Sequence, residues 1–248
     1  TKHQPMMAFY THPDPNVRSD YRWGGSESGW VQYPCWSTIA RDKPMSNELR
    51  ASGNPDGKDW FPARGDVPFR CQNGRHDWFY APGGEKGIAS LEHLRKIYYG
   101  SVGRNAKTVI GMVPNLDGLI EEPDVARCRE FGAWLEKTFG GKPLAETSGK
   151  GMELILELPA DAKGPVTHII LQEEIGNGER VREYVVEAKA ALRQGSGQTL
   201  RQGSGQALRE DSGQAGEWKQ AGSGSCIGHK RIEKIEPCEA RIFRLRIT

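Results

Sequence analysis

Near residue 142 the hydrophobic periodicity of the chain changes, and that change limits the folds open to it. Before it, apolar side chains recur at three- and four-residue spacing in two segments. The first is Leu91, Leu94, Ile97 and Tyr98, ending at Gly100, and the second is Val125, Cys128, Phe131, Leu135 and Phe139, ending at Gly140. Each reads as an amphipathic helix stopped by glycine. The second is the better marked, because Glu121 and Glu122 suit the positive end of a helix dipole and Pro123 suits a first turn. Between the two, Lys107 to Val113 reads as a buried strand. After residue 142 the period becomes two: Met152, Leu154, Leu156 and Leu158 alternate, then come VTHIILQE, VREYVVEA and finally Phe243, Leu245 and Ile247. These are short, half-buried strands with little helix between them. Strand–helix alternation is the rhythm of an α/β barrel, and the strands that follow suggest a β-sandwich packed on its end. The expected fold class is therefore α/β plus all-β, with a boundary between about residues 140 and 150.

One segment stands outside both patterns. Residues 191–214 hold three copies of an octapeptide, ALRQGSGQ, TLRQGSGQ and ALREDSGQ. The repeat is too short and too polar to bury a face, so a solenoid is excluded and an expanded hairpin loop is expected.

Charge excludes two classes of partner. Lys+Arg number 34 against 32 Asp+Glu, a net charge of +2, and the balance holds on both sides of residue 140. Neither part carries the basic face of a nucleic-acid or anionic-membrane binder. The mean hydropathy is −0.66 and no run approaches the roughly 18 apolar residues of a membrane span. The N-terminal residues show no signal peptide. Five widely spaced cysteines, without a CxxC, read as small buried hydrophobes.

Aromatic residues crowd the first 80 positions, among them Trp23, Trp30, Trp36, Trp60 and Trp78 in loops rich in Gly, Pro and Asp. Such rings either pack ordinarily or form a wall on which the apolar faces of sugars stack. The segment GSGSCIG fits neither a nucleophile elbow nor a phosphate loop and reads as a turn. The six histidines, His3, His12, His76, His93, His168 and His229, lack metal-site spacing, so no metal is expected. RWGGSESGW is different in kind. It sets one carboxylate, Glu27, among small residues between Trp23 and Trp30. Aromatic walls would desolvate it and raise its pKa, as a general acid at neutral pH requires, while the plain alternative is a surface Glu in a turn.

RWGGSESGW followed by PCWST closely resembles the RW-G-NE-G…WST signature of α-L-fucosidases of glycoside hydrolase family 29, in the branch selective for α-1,3/1,4-linked fucose. DVPFR, WFYAPGGE, the stretch from IYYGSVGRN to FGAWL, and GEWKQAGSGSCIGHKRIEKI…ARIFRLRIT agree in the same order, so the resemblance covers nearly all but the repeat. It implies a partial (β/α) barrel over residues 1–142 and a β-sandwich over residues 148–248, with the repeat inserted at 191–214. It also implies a retaining glycosidase acting through a fucosyl-enzyme intermediate, without a cofactor, on fucosylated oligosaccharides or glycoconjugates, in a secreted or periplasmic setting. The acid/base of that branch maps onto Glu27. Trp23, Trp30, Trp36, Asp66, Arg70 and Trp78 follow from neighbouring matched segments as substrate-binding candidates.

Two departures accompany the match. Ser26 stands where the signature has Asn, and Ala81 where a His is usual. The family nucleophile, an Asp at a Trp-Phe-Asp strand end, lies further upstream of the acid/base than the 26 residues present before Glu27. Asp14, Asp20 and Asp77 are the substitutes to be tried, and a second copy of the chain completing the barrel is another route. A catalytically inactive carbohydrate-binding or scaffold fragment is the alternative to an enzyme.

Overall fold

The computed structural model describes residues 21–40, 46–189 and 217–248. In chain order these form β1 (Arg22–Trp23), β2 (Thr38–Ile39), α1 (Asn47–Ser52), β3 (Asp59–Trp60), β4 (Ala63–Pro68), α2 (Leu91–Gly100), β5 (Lys107–Gly111) and α3 (Glu122–Phe139). Then follow β6 (Glu153–Glu157), β7 (Val166–Leu171), β8 (Tyr184–Lys189), β9 (Lys219–Gly224), β10 (Arg231–Cys238) and β11 (Ile242–Ile247). Asp14, Asp20 and the octapeptide repeat lie outside the described residues. Among the described residues no helix is long and apolar enough to cross a membrane.

The first part is built on a parallel sheet in the order β1-β4-β5. The central strand, β4, buries Ala63, Gly65 and Val67, and Val67 joins Phe69, Ala89, Leu94 and Ile97 in one apolar cluster. Helix α2 forms as its spacing predicts. Ser90 caps it by accepting from the His93 amide at 3.2 Å, and Leu94 and Ile97 lie on the face that meets the sheet.

Two expectations are corrected here. The segment Lys107–Val113 is not a buried strand: β5 ends at Gly111, alternates in exposure, and leaves Val109 40% exposed. Among the described residues it is bonded to β4 alone. Helix α3 forms, but its apolar stripe is not buried. Only Asp124 is fully covered, Cys128 is exposed, and Phe131 packs against the apolar cluster and the ring of Trp134. Among the described residues the sheet is three strands wide, which leaves α3 little surface to lie on beyond α2.

The second part is antiparallel. Strands β6-β11-β8-β9 form one sheet and β10-β7 another. Side chains from both meet between them: Phe243 and Ala188 from the larger sheet with Val166 from the smaller, and Tyr184 and Val186 with Leu171 and Ile227. The alternation read in the sequence places Leu156 in this core, while Met152, which was expected to share the pattern, is exposed. The GSGSCIG segment is only half a turn: Gly222–Gly224 ends β9, and Cys226 and Ile227 follow as buried residues.

A buried polar seam joins the parts. Asn105, in the left-handed conformation between α2 and β5, donates to the Cys35 carbonyl at 3.0 Å and to Glu179, and accepts from the His229 amide at 2.7 Å. Glu179, 4% exposed, accepts from the Ser37 amide at 2.8 Å.

Candidate active site

Three parallel strands end on the same side, and the chain beyond those ends carries the chemistry, as parallel α/β sheets arrange it. The loop after β1 is laid down by glycines. The Gly24 amide donates to the Arg64 carbonyl at 2.9 Å and the Gly29 amide to the Asp66 carbonyl at 2.8 Å, so both loop ends are stitched to β4. Gly29 has φ +76°, and a Cβ there would come within 2.9 Å of Ile97. The small residues thus let the loop approach its own scaffold closely. Buried Arg22 fixes the base of the loop, donating to the Trp36 carbonyl at 2.9 and 3.0 Å and to the Arg50 carbonyl at 2.7 Å. Glu27 sits at the loop's tip.

The segment after β4 supplies its partners. His76 Nε2 lies 2.8 Å from Glu27 Oε2, and Trp78 Nε1 donates to the same oxygen at 3.0 Å. The Trp78 ring is seated on Gly111 at the end of β5, where a Cβ would collide with it. Strands β1, β4 and β5 therefore all contribute to placing one carboxylate and its two donors.

The electrostatics reverse an expectation. Desolvation was expected to raise the Glu27 pKa, but the hydrogen bond from His76, and after it that from Trp78, holds the carboxyl below the usual range. Its side chain is 33% exposed, so burial works against the anion only weakly. In the free protein Glu27 is accordingly a carboxylate, poised to accept a proton.

The other predicted residues divide. Trp23, at the end of β1, donates to Asp66 at 2.6 Å, and Asp66 also pairs with Arg64 at 3.5 Å, so these two candidates meet each other. Trp30 turns back onto Gly100 of α2 and lies 6.4 Å from the His93 ring, with 43% of its surface open. Trp36 and Arg70 require correction. Trp36 is 5% exposed and lies under the Arg182 guanidinium at 4.9 Å. It borders a cleft of about 810 Å³ with Gln32, Leu49 and Asn54, whose lining does not include Glu27. Arg70 is completely buried and bound to both oxygens of Asp124, at 3.0 and 2.7 Å, and to Glu121 at 2.7 Å. A guanidinium so engaged fastens α3 to the loop after β4 and is not open to a ligand. Asp77, tried as a second carboxylate, is held by Arg75 at 2.6 Å.

His76 is the residue that sequence reasoning missed. It stands 49 positions from Glu27, and its only local signal is its place beside Trp78 in the matched segment. Among the described residues no three His, Cys, Asp or Glu side chains gather as a metal site would need.

No family model matches the chain. It is 27% identical to α-L-fucosidase 1 of Arabidopsis thaliana over 278 aligned residues, which cover 98% of this chain and 48% of that protein. A solved structure from Bacteroides thetaiotaomicron, assigned as an α-L-fucosidase, superposes with a TM-score of 0.77 at 39% identity, covering 93% of this chain and 48% of the other. A glycoside hydrolase 29 family member from a rumen bacterium shares the fold at a TM-score of 0.72 and 24% identity, over 93% of this chain and 38% of its own. The chain thus spans about half the length of these proteins or less. In sequence the chain is similar to α-L-fucosidases over about half of their length, and its fold is similar to that of a glycoside hydrolase family 29 member.

Proposed function

We propose that the chain carries the acid/base half of a retaining α-L-fucosidase site and acts on terminal α-1,3/1,4-linked fucose of oligosaccharides or glycoconjugates. The observation that carries this reading is the Glu27 carboxyl, held by His76 and Trp78 beyond the ends of three parallel strands. Similarity to fucosidases over nearly the whole chain supports it.

In such a reaction Glu27, once it has taken up a proton, passes it to the glycosidic oxygen while a second carboxylate, about 5–5.5 Å away, attacks the sugar carbon. Glu27 then takes a proton from the water that releases fucose. Trp23, Trp30 and Trp78 are the proposed aromatic walls, with Asp66 oriented by Trp23. Residues 1–142 correspond in this reading to a partial (β/α) barrel and residues 148–248 to its β-sandwich. The edge of β5 that no described strand pairs is where a second copy would complete the barrel.

An inactive carbohydrate-binding or scaffold fragment is the second reading, favoured by the edge of β5 that no described strand pairs. One assay separates the two. The purified chain is expected to turn over a fucoside with a poor leaving group, and Glu27→Ala to lose roughly 10²–10⁴ of that rate. Azide is expected to restore part of it on an aryl α-L-fucoside. Full activity of Glu27→Ala on a natural glycan would remove the acid/base assignment, and no turnover by the parent chain would favour the binding fragment.

A further inference from the structure

Both hydrogen bonds that reach Glu27 end on one atom, Oε2. The two oxygens of a carboxyl are equivalent until their surroundings distinguish them. Here they are distinguished: an indole N–H can only donate, so the oxygen facing Trp78 is an acceptor whether Glu27 is charged or neutral. With His76 in its Nε2–H tautomer, a proton placed on Oε2 would point at N–H groups, and a proton on Oε1 would not. In that tautomer the imidazole, whose Nε2 lies 2.8 Å from Oε2, is a second donor from the same segment after β4, and two donors on one oxygen fix the rotation of the carboxyl group as well as its position.

We propose that His76 is a positioning residue: with Trp78 it pins Oε2 and thereby assigns the exchanging proton of Glu27 to Oε1, the oxygen presented to the scissile bond. The identity of that bond rests on the fucosidase reading, whereas the pair itself does not. In the step it serves, the O–H bond at Oε1 breaks while an O–H bond forms on the glycosidic oxygen. The bond from that oxygen to the sugar carbon breaks, its electron pair leaving with the alcohol, and the second carboxylate supplies the pair that re-forms a bond at the carbon. Glu27 is left as an anion whose charge meets two N–H donors, so these bonds strengthen as the proton departs.

The charged groups around the pair do not replace His76 in this role. Arg50 of α1 lies beside Gly25, with its Cδ 3.5 Å from where a Cβ would stand. Arg75 and Asp77, which flank His76 in the chain, bind each other at 2.6 Å. Arg64 and Asp66 of β4 pair at 3.5 Å next to Trp23. The Glu27 carboxyl lies below its ordinary range first through His76, in keeping with this geometry.

The test uses the full chain with ¹³C-labelled glutamate, the Glu27 carboxyl signal being identified by its loss in Glu27→Gln. His76 is 47% exposed at its side chain, so its replacement leaves the core untouched. His76→Phe removes the donor, and His76→Asn is too short to span to Oε2; either variant alone is sufficient. In both, the Glu27 titration midpoint is expected to rise and the basic limb of kcat/KM for an α-L-fucoside to move to higher pH, with a rate loss of roughly 10- to 100-fold, the worth of a hydrogen bond to a charged group. His76→Gln, whose amide still donates, is expected to recover part of both. An unchanged Glu27 midpoint in the Phe and Asn variants overturns the proposal. If no form of the chain hydrolyses a fucoside, the fucosidase reading falls while the midpoints still decide the role of His76.

Discussion

Arg70 shows how a residue can be well placed in a matched segment and still serve the scaffold. Its guanidinium has no exposed surface and binds Asp124, which has none either. Charges taken out of water are tolerated only in company, so removing one leaves the other stranded. Arg70→Ala is expected to cost about 3–5 kcal/mol, and adding Asp124→Ala to return part of that loss. Denaturant unfolding of the two single variants and the double variant measures the coupling, and a purely additive result would deny the pairing. From the sequence, Arg70 is legible only as a cation in a matched segment, because the acid that neutralises it lies 54 residues later. Glu27 was legible from its own loop. Its lowered pKa was not, since that depends on His76 and Trp78, which the fold brings from a different strand end.

At the scale of elements, what the sequence made legible was local and what it hid was sideways. Helix α2 could be read from its spacing and its closing glycine, and β5 from its apolar run. Whether β5 has neighbours on both sides is a property of the sheet, and no periodicity within five residues encodes it. The octapeptide repeat lies outside the described residues; its flanks, β8 and β9, are hydrogen-bonded antiparallel neighbours, with Ala188 opposite Lys219. Long hairpin connections cost little more than short ones. Deleting residues 191–214 is expected to leave the melting temperature within a few degrees and the turnover, where measurable, unchanged. A scanning calorimetry trace that collapses on deletion would show that the repeat packs.

For the molecule as a whole, the change of periodicity near residue 142 was enough to separate an α/β part from an antiparallel one. The seam between them was not legible, because its members, Cys35, Ser37, Asn105, Glu179 and His229, look ordinary one at a time. That seam makes the amide of Ser37 a remote gauge. Its proton is held by Glu179, 142 positions away, in the loop that follows β7. It can exchange with solvent only when Glu179 lets go, so its exchange in deuterium oxide should keep time with the opening of the antiparallel part and not with that of the segment that contains it. Asn105→Ala, which leaves Glu179 without one of its donors, is expected to quicken Ser37 exchange while sparing amides in the middle of α2. If Ser37 and the α2 amides quicken together, the two parts open as one. If neither moves, Glu179 is not the latch.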